Sequence, residues 1–251
     1  MTPLGPEVVL ATFLVFCRIG SCLMLMPGFS SSRIPVQVRL FLAVAVTLAL
    51  APILVPRVSG LAVDDRPVAL AGTVFAEVLT GTAIGLMGRI FFIALETLAA
   101  GAAMMVGLGN MPGAPIDDAE PLPPLVSLVM LSAAVLVFAT EQHWEILRGL
   151  LASYAALPVG EGFSPRFGLT GLADRLSEAF VLALRVTSPF VVYGVVVNLG
   201  VGLANRLTPQ IPVYFISIPF VLLGGLFLVY ATVREVLHLF LSGFAAWLLT
   251  G

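Results

Sequence analysis

Long apolar stretches, broken by short polar segments, dominate the pattern of positions along this chain. Six apolar blocks can be marked, and one bilayer crossing needs about 20 apolar residues. The first, second and fourth blocks suit one crossing each, the fourth being short. The other three are longer than one crossing needs, so they must tilt, kink, double back or project beyond the lipid. The blocks run approximately Val8–Met26, Val36–Val55, Val68–Val106, Leu125–Thr140, Leu176–Leu203 and Val213–Leu249.

Prolines fall at the joints between these blocks and inside two of them. Proline removes a backbone donor and kinks a helix. Within a membrane such breaks persist only where neighbouring protein or a wet cavity satisfies the freed carbonyls. The pattern therefore predicts a packed assembly or a conduit rather than a simple anchor. Pro27 and Pro35 bracket the first turn, Pro52 and Pro56 end the second block, Pro189 interrupts the fifth, and Pro209, Pro212 and Pro219 surround the start of the sixth.

Composition excludes a water-soluble domain. Of the 251 residues, 59% are apolar and 10% are charged, with a mean hydropathy of +1.09, whereas soluble proteins carry about 45–50% apolar and about 25% charged residues. We therefore predict an all-α membrane protein with about six apolar helical blocks, several kinked or broken, that form helical hairpins. The length suits one domain over residues 1–251. A net charge of −2 without a basic stripe excludes nucleic acid as a partner.

The sequence contains no motif of an enzyme or of a cofactor site. HExxH, GxSxG and P-loop patterns are absent from it. Cys17 and Cys22 are interpreted as buried small hydrophobes, because there is no CxxC and both histidines are distant in sequence. Gly107-x-Gly109 has its third glycine misplaced, at Gly113, and no strand precedes it, so it does not fit a dinucleotide site. We expect no catalytic residue, no metal and no cofactor.

The third block carries charges and glycines on one face. Glu77, Gly81, Gly85 and Arg89 follow at i+4 steps, and Gly88 and Glu96 lie on the same side. Gly81 and Gly85 form a GxxxG pair, which lets two helices approach closely. An unpaired charge would cost about 2.5–3.5 kcal/mol at the centre of a bilayer. One hypothesis is a proton or ion relay; the glycines and the alternating charge favour the other, a helix-contact stripe that pairs with another helix.

Other polar residues also lie within apolar segments. Arg18, Arg185 and Asn198 could each line a wet passage or bond to a kinked backbone nearby, and the second interpretation is favoured for Asn198. Residues 141–157 show a different pattern, in which aromatic and apolar residues recur at helical spacing beside charged ones. This pattern predicts a helix that lies at the membrane surface, where amphipathic aromatics are enriched. The recurring residues are Trp144, Leu147, Leu151 and Tyr154.

Three segments, in order along the chain, resemble the FliR family of flagellar export-gate proteins. Met26–Pro52 contains Ser-Arg-Ile-Pro followed by Val-Arg, and His143–Gly160 ends in SYAALPVG, similar to the family's Leu-Pro-x-Gly turn. Asn198–Pro219 matches best, with its motif residues in family order. The similarity spans about Phe13 to Tyr230. The matching motif positions are Arg33, Pro35, Arg39, Asn198, Gly202, Arg206, Pro209, Gln210 and Pro219.

This resemblance implies a structural, non-enzymatic subunit of the flagellar type III export gate. Such a subunit would form part of the channel through which unfolded flagellar proteins cross the bacterial inner membrane, at the flagellar basal body. FliR-like proteins are single-copy members of a helical complex with FliP and FliQ, and they contact FlhB. The expected partners are therefore FliP-like and FliQ-like subunits, an FlhB-like protein, membrane lipid and the translocating substrates. Kinked helices of this family are held largely within the assembly.

The resemblance also implies a plug for the closed channel. In the family, a loop after the third apolar block helps to plug it, and Gly107–Pro124, rich in glycine and proline, corresponds to that loop by position. The plug residues we expect are Gly107, Gly109, Asn110, Met111, Pro112 and Gly113. Two alternatives stay open. One is the related subunit of a virulence injectisome. The other is a small-solute transporter, although this sequence lacks the pair of matching interrupted segments expected of one.

Overall fold

The structure is a computed structural model that describes residues 5–30, 34–59, 66–109, 123–160 and 165–250. Seven α-helices and no strand occur in these ranges. The helices are α1 Pro6–Leu25, α2 Val36–Val58, α3 Pro67–Met105, α4 Pro124–Ala139, α5 Gln142–Ala156, α6 Pro165–Leu207 and α7 Val213–Thr250.

The predicted class, an all-α membrane protein, is confirmed. Among the described residues, five helices are long and apolar enough to cross a membrane, and α4 with α5 adds a sixth if this bent pair is one broken span. The pair is bent by 72°. Glu141 lies at the break with φ of 60°, in the left-handed backbone region that residues other than glycine rarely adopt. The predicted fourth block is thus a short helix that turns sharply into another.

Two helices differ from their predicted limits. α2 continues through Pro52 and Pro56 to Val58, so the prediction that these prolines end the block was wrong. Each proline removes one backbone donor, yet the helix continues past both, and the Ser59 N–H bonds to the Val55 carbonyl at 2.8 Å. α6 begins at Pro165, whereas the predicted block begins at Leu176. The first turns of the helix are polar, so the apolar pattern does not reveal them.

Three helices exceed the length of one crossing. α3, α6 and α7 contain 39, 43 and 38 residues. At a rise of 1.5 Å per residue they are about 57–65 Å long, roughly twice the thickness of the hydrocarbon layer. Part of each helix must therefore lie outside the lipid core.

The chain divides into two compact units. Unit 1 comprises Met1–Ile90, Phe138–Leu176 and Trp247–Gly251, and unit 2 comprises Phe91–Val137 and Ser177–Ala246. In unit 1, α1 packs against both α2 and α3. In unit 2, the rings of α3 and α7 meet edge to face, with centroids 5.2–5.9 Å apart. α3, α4, α6 and α7 contribute residues to both units, and a single domain over residues 1–251 stays a prediction.

Much apolar surface is uncovered in both units. In the most apolar 18-residue stretch of α2, only 17% of the residues are buried, and in the corresponding stretch of α7 only 6% are. Phe41 of α2 and Phe227 of α7 are both 72% exposed. Continuous apolar surface of this extent marks contact with lipid or with other proteins.

Candidate functional site: a buried polar cluster on α1, α3 and α5

A buried ion pair joins α1 to α3 in unit 1. The side chains of Arg18 and Glu77 are 1% and 2% exposed. Arg18 Nε donates to Glu77 Oε2 at 2.7 Å, and Arg18 Nη2 donates to Glu77 Oε1 at 2.8 Å. Two parallel charge-assisted bonds make this the strong, directional form of an arginine–carboxylate contact. Each group depends on the other, because a buried charge without its partner is strongly destabilising.

The C-terminal end of α5 completes the shell of acceptors around the guanidinium. Arg18 Nη1 donates to the Ser153 carbonyl at 3.2 Å and to Ser153 Oγ at 3.4 Å. Arg18 Nη2 donates to the Leu157 carbonyl at 2.9 Å. The Ser153 carbonyl also accepts the last bond of the helix, from the Leu157 N–H at 2.9 Å, and the helix dipole attracts a cation at this end. Arg18 therefore fastens α5 as well as α3 to α1.

Tyr154 covers the face of the guanidinium. The Arg18 Cζ lies 4.2 Å from the ring centroid, within cation–π range, and the tyrosine hydroxyl donates to the Val15 carbonyl at 3.3 Å. Tyr154 is 7% exposed, so its side chain packs inside the protein, while the predicted position of α5 at the membrane surface stays a prediction. Trp144, by contrast, is 55% exposed. The buried residues of α5 follow an i+4 face: Gln142, Ile146, Leu150 and Tyr154.

The cluster is suited to holding helices together. All three guanidinium nitrogens have acceptors, and both Glu77 oxygens have a donor. A proton or ion relay needs a group that can exchange its hydrogen-bond partners, but every nitrogen of Arg18 and both oxygens of Glu77 are already bonded. The geometry therefore favours the helix-contact hypothesis for Glu77. Within the described residues, no group of three His, Cys, Asp or Glu side chains is placed to hold a metal ion.

The glycines of the predicted stripe lie where α3 meets α1. A Cβ at Gly81 would collide with the Arg18 carbonyl and with Ser21 Oγ, and a Cβ at Gly85 would lie 2.6 Å from the Cys22 carbonyl. At Gly88 it would lie 2.6 Å from Met26 Sδ. The absence of side chains lets the two helices approach closely, and this approach brings Glu77 within reach of Arg18.

The remaining two members of the stripe lie apart from this contact. Arg89 is exposed and Glu96 is partly exposed. Arg89 belongs to unit 1 and Glu96 to unit 2. The structure thus brings together Glu77, Gly81, Gly85 and Gly88 against α1, while a role for the whole stripe in subunit assembly stays a prediction.

Only the first part of the predicted plug lies within the described residues. Gly107, with φ of 81°, ends α3. The Leu108 N–H bonds to the Ala103 carbonyl at 2.8 Å, and the Gly107 N–H bonds to the Met104 carbonyl at 3.2 Å; this is the Schellman arrangement. Gly109 lies against Met104. Asn110, Met111, Pro112 and Gly113 fall outside the described residues, and the plug stays a prediction.

The predicted motif positions are scattered along the described chain and do not form a polar cluster. Arg39 Nη1 donates to the Ser30 carbonyl at 3.4 Å, and Asn198 Nδ2 donates to the Gly194 carbonyl at 2.7 Å. Gly202 has open space around it. Pro35 precedes α2, Arg206 is in the last turn of α6, Pro209 and Gln210 lie in the turn after it, and Pro219 is inside α7. Arg33 falls outside the described residues.

Sequence reasoning identified Arg18 and Glu77 separately but did not pair them. It missed Ser153, Leu157 and the buried position of Tyr154. One signal was present: Arg18 is the only charge in its apolar block, and Glu77 is the only acid in the first half of the third block. Opposite charges isolated in two apolar helices indicate a pair. The α5 carbonyls carry no sequence signal.

Apolar helices longer than a bilayer, a broken helix pair and a saturated buried ion pair define an all-α integral membrane protein. The chain belongs to the bacterial export proteins, family 1, whose family model matches residues 9–247. It is 27% identical to flagellar biosynthetic protein FliR of Caulobacter vibrioides, over 92% of this chain and 88% of that one. It is 27% identical to FliR of Escherichia coli, over 85% of this chain and 80% of that one. It is 26% identical to FliR of Bacillus subtilis, over 83% of this chain and 80% of that one. The chain is thus a membrane-embedded component of flagellar type III export.

Removing one member of the ion pair should destabilise the protein more than removing both. Glu77→Leu leaves a buried guanidinium without its carboxylate, and we expect the free energy of unfolding to fall by about 3–5 kcal/mol. Because no buried charge remains unpaired in Arg18→Leu/Glu77→Leu, this double variant should recover much of the loss. Thermal unfolding of the purified protein in detergent measures both effects.

The matched control is the exposed pair of α5, in which Arg148 Nη1 lies 2.6 Å from Glu145 Oε1. With the Arg148 side chain 74% exposed, Arg148→Leu should change the stability by only about 0–1 kcal/mol. Equal losses in Glu77→Leu and Arg148→Leu, or no recovery in the double variant, would contradict the proposed dependence of the two buried charges on each other.

Adding side chains at the α1–α3 contact should separate the two helices. Gly81→Ala is expected to lower the melting temperature, because the clash with the α1 backbone outweighs the gain in helix propensity, which is about 1 kcal/mol at most. Gly72→Ala in the same helix is the control: nothing lies within 4 Å of its added Cβ, so it should be neutral or stabilising. The double variant Gly81→Leu/Gly85→Leu should in addition prevent assembly. Normal assembly of that variant would show that the close approach is dispensable.

Proposed function

We propose that this chain is a structural, non-catalytic subunit of the flagellar export gate and forms part of the channel for unfolded flagellar proteins. The observation that carries the proposal is the family match over residues 9–247, together with similarity to FliR relatives that covers at least 80% of each relative's length. The expected location is the bacterial inner membrane at the flagellar basal body.

The exposed apolar surface supports a place within a larger assembly. α3, α6 and α7 are about twice as long as a bilayer is thick. Their apolar surface outside the lipid needs cover from other subunits, and α2 has apolar surface that this chain leaves uncovered. FliP-like and FliQ-like subunits and an FlhB-like protein are the partners we propose for this surface.

The proposed plug begins at a well-defined point. The Schellman end of α3 places Gly107 beside Val221 and Leu222 of α7, each about 3.7 Å from the position of its Cβ. The loop that follows, up to Pro124, contains two glycines, five prolines and three acidic residues, and glycine and proline disfavour helix. We propose that this loop closes the resting channel.

A small-solute transporter remains the less supported alternative. In unit 2, a cavity of about 30 Å³ has room for one or two waters. In unit 1, a groove of about 370 Å³ between α1 and α2 is lined by apolar side chains, Thr12 and Thr47. Both threonine hydroxyls bond to carbonyls of their own helices. Neither space offers convergent polar groups for a metabolite.

Purification from native membranes tests the proposed function directly. The affinity-tagged full chain, solubilised in mild detergent, should bring FliP-like and FliQ-like proteins with it in unequal amounts, because a single-copy subunit contacts several copies of its partners. Mass spectrometry of the purified complex measures the ratio. A chain that purifies alone, reconstitutes as a monomer and moves a metabolite would refute the proposal and support the transporter. Co-purification with injectisome components instead would assign the gate to that system.

Shortening the loop should open the resting gate. We expect deletion of residues 109–114 to raise the ion conductance of the assembled complex, because fewer residues remain to fill the channel. Planar-bilayer recording or ion flux into vesicles measures this. Deletion of residues 60–65, an equally long segment between α2 and α3, is the control and should leave conductance unchanged. Unchanged conductance after the 109–114 deletion, with the complex fully assembled, would count against the plug.

A further inference from the structure

The last turn of α3 packs against bare backbone on both α6 and α7 in unit 2. A Cβ added at Gly194 of α6 would lie 2.5 Å from Met105 Sδ and 2.9 Å from Met105 Cβ. A Cβ added at Gly225 of α7 would lie 2.5 Å from Val106 Cβ, and Val106 is 0% exposed. Two neighbouring residues of α3 thus each fit against a glycine, one on each helix.

Both glycines stand out in their stretch of the chain by their burial. Residues 191–230 cover the end of α6, the following turn and the first half of α7, and all of them are described. Only Gly194 and Gly225 among them are buried. The atoms nearest to the two added Cβ positions belong to Met105 and Val106. This stretch therefore packs most closely where α3 ends.

α6 and α7 are fastened to each other next to this contact. The Tyr193 hydroxyl of α6 donates to the Val221 carbonyl of α7 at 2.7 Å, and the same hydroxyl oxygen lies 2.5 Å from a Cβ added at Gly224. The side chains of Val221 and Leu222 also lie about 3.7 Å from a Cβ added at Gly107. The bond between the two helices is thus adjacent to the end of α3.

The end of α3 has little freedom to yield at these contacts. The Val106 N–H bonds to the Ala102 carbonyl at 3.0 Å, and the Leu108 N–H bonds to the Ala103 carbonyl at 2.8 Å. A valine side chain in a helix has one strongly preferred rotamer, and its Cβ is fixed to the backbone. A shift of α7 towards Val106 must therefore move the backbone of α3 and not a side chain alone.

We propose that Gly194 and Gly225 are positioning residues, which hold the last turn of α3 and with it the start of the segment that follows Gly107. The role in gating rests on the proposed function, because that segment is the loop to which we assign closure of the resting channel. Movement of α6 or α7 at these glycines is passed to the start of the loop through backbone contacts. A methyl group added at either glycine imitates such a movement, since it pushes the turn away.

Hydrogen exchange tests the anchoring without reference to export. In the affinity-purified complex, the amides of residues 106–108 should exchange slowly, because each donates a backbone hydrogen bond. Gly194→Ala and Gly225→Ala should each raise these exchange rates about tenfold, through local opening of the turn. Gly200→Ala in α6 is the control and should change nothing, since its added Cβ has no atom within 4 Å. Unchanged exchange in both contact variants would overturn the anchoring.

Conductance of the assembled complex tests whether the position of the turn matters to the gate. Gly194→Ala and Gly225→Ala should raise the resting ion conductance towards that of the deletion of residues 109–114, while Gly200→Ala should not. If the deletion opens the channel but the two contact variants leave it closed despite faster exchange, the positioning role is refuted and the plug stands. If the deletion has no effect, the plug fails, and the exchange experiment alone decides whether the glycines anchor the turn.

Moving the glycine from one helix to the other separates positioning from general destabilisation. In Met105→Gly/Gly194→Ala the small residue lies on α3, so that the two backbones can again approach closely. Amide exchange and conductance should return most of the way to the values of the native chain, although a glycine in the last turn of α3 is itself unfavourable. Where Gly194→Ala prevents assembly, assembly should recover in the double variant. Simple addition of the two single effects, without recovery, would refute the positioning role.

Discussion

The pairing of Arg18 with Glu77 is the interaction on which the packing of unit 1 depends. Both charges are withdrawn from solvent, so the pair persists only while its geometry is complete. Completeness requires α1 and α3 to lie closer than ordinary side chains allow, and Gly81 and Gly85 permit that distance. It also requires the end of α5, which supplies acceptors for the guanidinium N–H groups that the carboxylate does not bind. One arginine thus sets the mutual positions of three helices.

The closest contacts between helices of this chain are made where small residues lie. Where helices meet each other, glycine and alanine are frequent and backbones approach closely. Glycines of α3 contact α1 in unit 1, and glycines of α7 contact Tyr193 and Val106 in unit 2. Large side chains hold helices together at a greater distance, as the phenylalanine rings of α3 and α7 do in unit 2. A helix such as α7 can therefore be almost wholly apolar and still have a defined inside and outside.

Much of the fold was predictable because membrane helices must be apolar over a continuous length. The six blocks correspond to α1, α2, α3, α4, α6 and α7. The polar start of α6 and the bend at Glu141 were missed, because neither changes the apolar pattern. Arg18 and Glu77 were each noticed, but 59 residues separate them, and only the folded chain shows that they meet. The family resemblance came from motif order, whereas the motif residues themselves are dispersed in space.

The contact between Arg18 and α5 is made largely to backbone oxygens. Every amino acid at positions 153 and 157 would present the same carbonyls, provided that the helix ends at the same place. Correlated substitutions between homologous sequences would therefore carry little trace of this contact, although it is buried and charged. The side chains at positions 153 and 157 can therefore change, but the residue at which α5 ends must stay the same.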